Sequence, residues 1–327
     1  MSGIFILGID VSKKDLSIAL FHNDSHKKYK ITNDMQGFKK LTEWLESQGI
    51  SHVKACMEAT GRYGEKVADY LYECGHDVHV INPSCIKAFA RSKLSRHKTD
   101  DVDALLIAEY ASKNDLRLYT PQDPALKELR CLYRCSQNLK EQQTQANNYL
   151  ENKDCLPKSV QKVYQKLLAQ IEKQIKEVDQ SIDQLLKNQE SLNQDCQNLQ
   201  TIPGIGKTTA IAILAEIPDL SVLDNARQLA AYAGLTPCHR TSGTSVKGKS
   251  RLSKMGSSAL RKALYFPAIV AKSHNPILHS FALRLEKSGK HTMVIITAIM
   301  RKLLHICYGI LKHKVAFNAE LITLNSR

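Results

Sequence analysis

Four acidic residues carry a spacing that could do chemistry: Asp10, Glu58, Asp100 and Asp103. Asp10 closes the apolar run Ile4-Phe5-Ile6-Leu7-Gly8-Ile9, and Glu58 closes a second, His52-Val53-Lys54-Ala55-Cys56-Met57. Asp100 and Asp103 stand three apart in Lys98-Thr99-Asp100-Asp101-Val102-Asp103-Ala104-Leu105, at the expected start of a helix, and so share one helical face. Two strand tips and one helical face can bring four carboxylates together, which only a hard cation makes tolerable. That combination points to Mg²⁺ and phosphate-ester chemistry.

The elements that must position these residues alternate through the first 113 positions. Three strand-like runs (Ile4–Asp10, Leu16–Phe21, Lys28–Ile31) precede a helix over Phe38–Gln48, a strand over Val53–Glu58 and a helix over Gly64–Cys74. A strand over Asp77–Ile81 and helices near Ser84–Arg91 and Asp101–Ser112 complete the series. Three leading strands followed by alternating helices and strands is the order of a ribonuclease H-like (RuvC-like) α/β domain, expected over residues 1–120. In such sheets chemistry collects at the carboxyl ends of strands, where Asp10 and Glu58 stand.

Past Pro121 and Pro124 the pattern changes to a 4,3 spacing. It runs from Ala125 through Leu129, Leu132, Ser136, Leu139, Gln143 and Ala146 to Leu150, breaks at Asn152–Pro157, and resumes from Tyr164 to Leu199. Residues 121–200 are therefore expected as a coiled-coil region of two long helices, folded on themselves as an antiparallel hairpin or paired with another subunit. Ser136, Gln143 and Gln189 occupy seam positions and are expected to weaken the seam or set its register.

Residues 201–327 are expected as a basic, mostly helical domain. Thr201 stands where a Walker A loop needs glycine, so Ile202-Pro203-Gly204-Ile205-Gly206-Lys207 reads instead as the turn of a helix-hairpin-helix-like unit. In that reading Gly204, Gly206 and Lys207 meet a nucleic-acid phosphate; the plainer reading is a tight turn between packed helices. Further on, Thr241-Ser242-Gly243-Thr244-Ser245-Val246-Lys247-Gly248-Lys249-Ser250-Arg251 is dense in hydroxyls, glycines and cations. It reads as a phosphate-wrapping loop, with Lys247, Lys249, Arg251 and Lys254 as backbone contacts, against the alternative of a solvated linker.

Charge distribution supports a polyanionic partner. The chain of 327 residues has a formal net charge of +14, and residues 201–327 hold 18 basic against 5 acidic side chains, so nearly all the excess lies in the last third. Nucleic acid is the default partner for such a surface. Nine cysteines without a CxxC pair fit a reducing bacterial cytoplasm, and no leader is read before the first strand. Cys131 with Cys135, or Cys74 with His76 and His79, read as packing or surface residues rather than zinc ligands. Arg301, Lys302 and His305 interrupt the apolar run Met293–Leu311, which reads as a buried helix and not a membrane span.

Several short motifs, in order, resemble one family. They are Gly8-Ile9-Asp10, Met57-Glu58-Ala59-Thr60-Gly61, Ile81-Asn82-Pro83, Lys98-Thr99-Asp100 with Val102-Asp103-Ala104, and Ile202-Pro203-Gly204-Ile205-Gly206. Ala233-Gly234-Leu235-Thr236-Pro237, Ser242-Gly243, Lys254-Met255-Gly256 and Leu260-Arg261-Lys262-Ala263-Leu264-Tyr265 complete the series. Across almost its full length the chain resembles the DEDD transposases of bacterial insertion sequences, the "one-ten" type, akin to Piv-type DNA invertases. The resemblance implies that Asp10, Glu58, Asp100 and Asp103 bind Mg²⁺, with Asp101 outside the set. It implies that Ser242 attacks a DNA phosphate and forms a phosphoserine link, with Thr244 and Ser245 as alternative nucleophiles. It further implies a homo-oligomer, dimer to tetramer, with composite sites, and a structured guide RNA that pairs with donor and target DNA.

The chemistry is coherent in itself. A serine hydroxyl needs activation at neutral pH, and His239 is read as a phosphate contact or solvated side chain rather than its base. Covalent capture conserves the phosphodiester bond energy for resealing, whereas hydrolysis loses it. The main rival is a Holliday-junction type endonuclease that uses the same carboxylates with water as nucleophile. An actin-like ATPase, suggested by Gly8-Ile9-Asp10-Val11-Ser12, lacks further glycine-rich phosphate loops in residues 60–130. A non-catalytic nucleic-acid-binding descendant is disfavoured by the intact acidic and serine positions.

Overall fold

Asn23 and Asp24 adopt positive φ of 48° and 61°, the backbone of a two-residue type I′ turn. That turn folds strand β2 (Asp15–His22) onto β3 (Ser25–Thr32). β2 pairs antiparallel with β1 (Ile6–Val11), and β1 pairs parallel with β4 (Lys54–Glu58), which pairs parallel with β5 (Asp77–Ile81). The resulting sheet has the order β3-β2-β1-β4-β5. Lys27, Lys28 and Lys30 lie on β3, the sheet's edge, where charge discourages pairing with another strand. The computed structural model describes residues 4–93, 100–242 and 246–319. Its contacts divide the chain into two units, Met1–Pro121 and Gln122–Arg327.

Period-two alternation along the strands builds two cores. Leu7, Ile9 and Met57 face one side with Phe38, Leu41 and Leu45 of α1 (Met35–Ser47) and Val67 and Leu71 of α2 (Arg62–Glu73). Ile6 and Cys56 face the other side with Ile86 of α3 (Pro83–Ser92) and Ile107, Ala108 and Ala111 of α4 (Asp100–Lys113). Asp34 caps α1 by accepting from the Gly37 amide, and Asn82 caps α3 with Pro83 in its first turn. Sheet and helices thus follow the alternation read from the sequence.

In the second unit, α5 (Pro124–Leu150) and α6 (Lys158–Asn188) lie antiparallel as a helical hairpin of one chain. Two of the polar seam residues bond across it. Ser136 Oγ donates to Asp179 Oδ1 at 3.1 Å, Gln143 Nε2 donates to Glu172 Oε1 at 3.4 Å, and Tyr149 stacks on Tyr164 at 4.4 Å. Residues 121–200 do not fold apart from the last third of the chain. Leu129, Tyr133, Ile182 and Leu185 share one core with α7 (Glu190–Gln200), α8 (Lys207–Glu216), α9 (Ala226–Tyr232), α10 (Ser258–His274), α11 (Pro276–Lys287) and α12 (Thr292–His313). α12 is long and apolar enough to pass a length test for a membrane span. Its residues Ile295, Ile299, Leu303, Cys307 and Leu311 are nonetheless buried in that core.

Two arginines of the hairpin add polar ties to this apolar join. Arg134 meets Glu216 through two bonds, Nε to Oε1 at 2.8 Å and Nη2 to Oε2 at 2.9 Å. Arg130 donates from Nε to the Ala215 carbonyl at 2.7 Å and from Nη2 to that of Ile217 at 3.2 Å, closing the end of α8. The Glu216 side chain is only 3% exposed and Arg134 47%. Arg134→Met leaves a buried carboxylate unpaired and is expected to cost about 2–3 kcal/mol, less than a fully buried pair because the arginine is half in water. Thermal melts check it: Arg134→Met should lower Tm, and adding Glu216→Met should restore part of the loss.

Candidate functional site

The alternation that builds the two cores also decides where the carboxylates point. Gly8, Asp10, Cys56 and Glu58 share a face, because Gly8 pairs with Cys56 and side chains repeat every second residue. That face is covered by α4. A Cβ on Gly8 would lie 2.1 Å from the Ala104 carbonyl oxygen and 2.7 Å from the Ala108 nitrogen, so only glycine lets the helix sit this close. At the other end, Lys54 Nζ donates to the carbonyls of Ala111 at 2.7 Å and Asn114 at 3.2 Å, capping the helix C-terminus. The N-terminus of α4 therefore lies at the carboxyl ends of β1 and β4.

On α4, Ala104, Ile107, Ala108 and Ala111 are buried against the sheet. Asp103, four residues before Ile107, continues that stripe towards the first turn, and Asp100 opens the helix. Asp10, Glu58 and Asp103 are each half-buried. Register and helix direction thus bring the strand-tip pair and the Asp100 and Asp103 positions to one end of one face. The Asp100 and Asp101 side chains lie outside the described residues. Among the described residues no group of three His, Cys, Asp or Glu is already gathered at metal-holding spacing. The residues at that end of the face, Asp10, Glu58 and Asp103, are all carboxylates.

The cysteine and histidine groupings do not gather into a cluster of three among the described residues. Cys131 and Cys135 are exposed, and His79 donates from Nδ1 to the Arg117 carbonyl at 2.8 Å as a packed core residue. Burial pushes the Cys56 thiol up to about 12, so it packs under the sheet as an unreactive group.

In the second unit, residues read as one loop are largely strand. β6 (Pro237–Ser242) and β7 (Val246–Leu252) form an antiparallel ribbon, with Ser242 opposite Val246 and an irregularity at Cys238–Arg240. Pairing satisfies backbone groups that an open loop would leave to water. Ser242 ends β6; its side chain, residues 243–245, and the side chains of His239, Lys247 and Lys249 lie outside the described residues. Arg251 on β7 and Lys254 beyond it are exposed.

Three hydrogen bonds tie the base of the ribbon to its surroundings. The Ser253 amide donates to Thr236 at 3.0 Å, the Ser257 amide to Tyr232 at 2.8 Å, and Arg261 Nη1 to the Ala233 carbonyl at 2.8 Å. Arg261, a member of the motif Leu260–Tyr265, is therefore a backbone tie. Its sequence signal is present in Leu260-Arg261-Lys262, but charge alone does not separate a tie from a phosphate contact.

α7 and α8 are joined by a turn at 201–206. Gly204 has φ +104°, and a Cβ there would come within 2.9 Å of both the Ala271 Cβ and the Pro267 carbonyl of α10. Its structural work is close packing. Gly206 opens α8 with free space beside it, and Lys207 Nζ pairs with Asp183 of α6 at 2.7 Å.

Comparison with known proteins places this arrangement in a class. Residues 7–156 match a family described as Transposase, of the DEDD IS110 type, and residues 196–283 match the Transposase IS116/IS110/IS902 family. The chain is 33% identical over 318 residues to the pilin gene-inverting protein of Moraxella bovis, covering 96% of this chain and 98% of that protein. It is 25% identical over 294 residues to the transposase for insertion sequence element IS1328 of Yersinia enterocolitica, covering 81% and 83%. An α/β unit with carboxylates at one sheet end, joined to a basic helical unit with these likenesses, is a DNA transposase or recombinase. The chain belongs to the IS110-type transposase family.

Proposed function

We propose that this transposase is a Mg²⁺-dependent serine recombinase that mobilises its own element under the guidance of a structured RNA. The observation that carries the reading is the meeting of Asp10, Glu58 and the first turn of α4 at one end of a sheet ordered β3-β2-β1-β4-β5. We read that unit as ribonuclease H-like. Asp10, Glu58, Asp100 and Asp103 would hold Mg²⁺, which when bound supplies Lewis acidity to the scissile phosphate and its oxygens.

Ser242 is the proposed nucleophile. Its Oγ bonds to phosphorus as the bond to one ribose oxygen breaks, and the departing oxygen takes up a proton. Reversal with a different ribose hydroxyl reseals the strand and frees the serine. Lys247, Lys249, Arg251 and Lys254 track the phosphate backbone, and Gly206 and Lys207 form a weaker phosphate site at the start of α8. The acidic set and Ser242 act together within a homo-oligomer, and sequence choice comes from base pairing with RNA rather than from a groove-reading helix.

The test is a denaturing gel of purified protein with Mg²⁺, element-flanking RNA and labelled junction DNA. Wild type should give a protein–DNA adduct that depends on the RNA, and Ser242→Ala should give none. Free cleaved ends that survive Ser242→Ala would replace this reading with the junction endonuclease that uses water.

A further inference from the structure

A cavity of about 390 Å³ lies at the base of the ribbon, against α11 and α12. Arg251 and Leu252 line it from β7, Phe281 from α11, and Arg301, Lys302 and His305 from α12. Its size suits one small ligand and does not admit a duplex. Three cations line it and no carboxylate does. None of the three pairs with a carboxylate among the described residues; Arg301 Nη1 donates only to the Leu235 carbonyl at 3.2 Å.

The apolar side of the cavity has an aromatic platform. Phe281 has Lys302 Nζ 5.2 Å from its ring centre and the Arg284 guanidinium 5.3 Å away. His305 Nε2 is buried without a hydrogen-bond partner. Burial, with Arg301, Lys302 and Arg227 nearby, pushes the His305 imidazole down, towards its neutral form, in which it can donate or accept. An aromatic face, cations and an unpartnered imidazole are the set that holds a nucleotide by stacking, phosphate contact and a base-edge bond.

Resting on the recombinase reading above, we infer that this cavity captures a single unpaired nucleotide, its base on Phe281 and its phosphate on Lys302 and Arg251. Ser242 lies five residue steps along β6 from Pro237 at the cavity rim, on the order of 16 Å along an extended strand. The site would thus hold a strand opened a few nucleotides from the phosphate that Ser242 attacks, and present that strand for exchange.

The experiment uses the full chain with short single strands carrying 2-aminopurine, one DNA and one RNA, and the fully paired DNA duplex as control. Wild type should bind a single strand with quenched fluorescence. Phe281→Leu, which keeps apolar volume, should weaken single-strand affinity about five- to tenfold and remove the quench, while duplex affinity moves less than about twofold. Lys302→Gln, an exposed position whose loss leaves folding intact, should lower the salt dependence of single-strand binding by about one ion. Response of the DNA strand alone would assign the cavity to substrate, and of the RNA strand alone to the guide.

Single-strand affinity and quench unchanged in both variants would overturn the proposal. So would equal weakening of duplex and single strand by Phe281→Leu. The underlying recombinase reading fails separately: a protein with the expected quench but no Ser242-dependent adduct keeps its nucleotide site and loses its serine.

Discussion

Asp10→Asn is expected to fold and bind DNA as wild type does while losing strand cleavage by about a thousandfold, about 4 kcal/mol of transition-state stabilisation. Asp10 is half-buried at the carboxyl end of β1, one residue past Ile9, which is in register with Met57 of β4. Asparagine keeps the shape and the hydrogen-bonding edge but removes the charge that a hard cation needs. DNA affinity should hold or rise slightly, because a negative charge has left a site that receives phosphate. The control is Asp77→Asn at the start of β5, the opposite end of the sheet, where the carboxylate pairs with His52 at 3.7 Å. Cleavage by Asp77→Asn should be unchanged. Equal activity of Asp10→Asn and wild type across a Mg²⁺ titration would remove Asp10 from the metal site.

Gly8→Ala is expected to damage both stability and activity. One methyl group would sit 2.1 Å from the Ala104 carbonyl oxygen and 2.8 Å from the Ala108 Cβ. The helix must lift from the sheet, exposing part of the core made by Ile6, Cys56, Ile107 and Ala111. Overpacking of this kind costs about 1–3 kcal/mol and here meets backbone on both sides, which places it at the upper end. Melting should fall by roughly 5–15 °C for a unit of this size. Cleavage should fall further than folding does, because Asp103 rides on the displaced first turn. Gly309→Ala in α12, where nothing lies within 4 Å of the new methyl, should be neutral or stabilising. If Gly8→Ala melts with wild type and cleaves normally, α4 does not sit on β1 as described.

Much of this is legible in the residues. Alternating apolar runs mark β1, β4 and β5, and the acidic residue at the end of each of the first two follows from the strand-end habit of α/β sheets. The 4,3 seam marks α5 and α6, and its polar members Ser136 and Gln143 are cross-helix partners. The ribbon reads as a loop because Gly248, Lys249 and Ser250 have low strand propensity, and pairing across the chain outweighs propensity. Arg261 stands in a short basic motif and Gly204 in a glycine turn, while the groups they meet, Ala233 and Pro267, are far along the chain.

By itself the sequence determined which residue types stand at the ends of which elements, and local periodicity is enough for that. It carried the strand tips at Asp10 and Glu58, the helical seam and the concentration of positive charge after residue 200. Only the tertiary structure decided that α4 runs back over Gly8 with Asp103 at the strand tips. It alone joined the hairpin to the last third through Arg134 and Glu216, and gathered Arg251, Phe281, Lys302 and His305 around one cavity. These are contacts between segments tens of residues apart. They are selected by burial and close packing over the whole unit, and no local spacing encodes them.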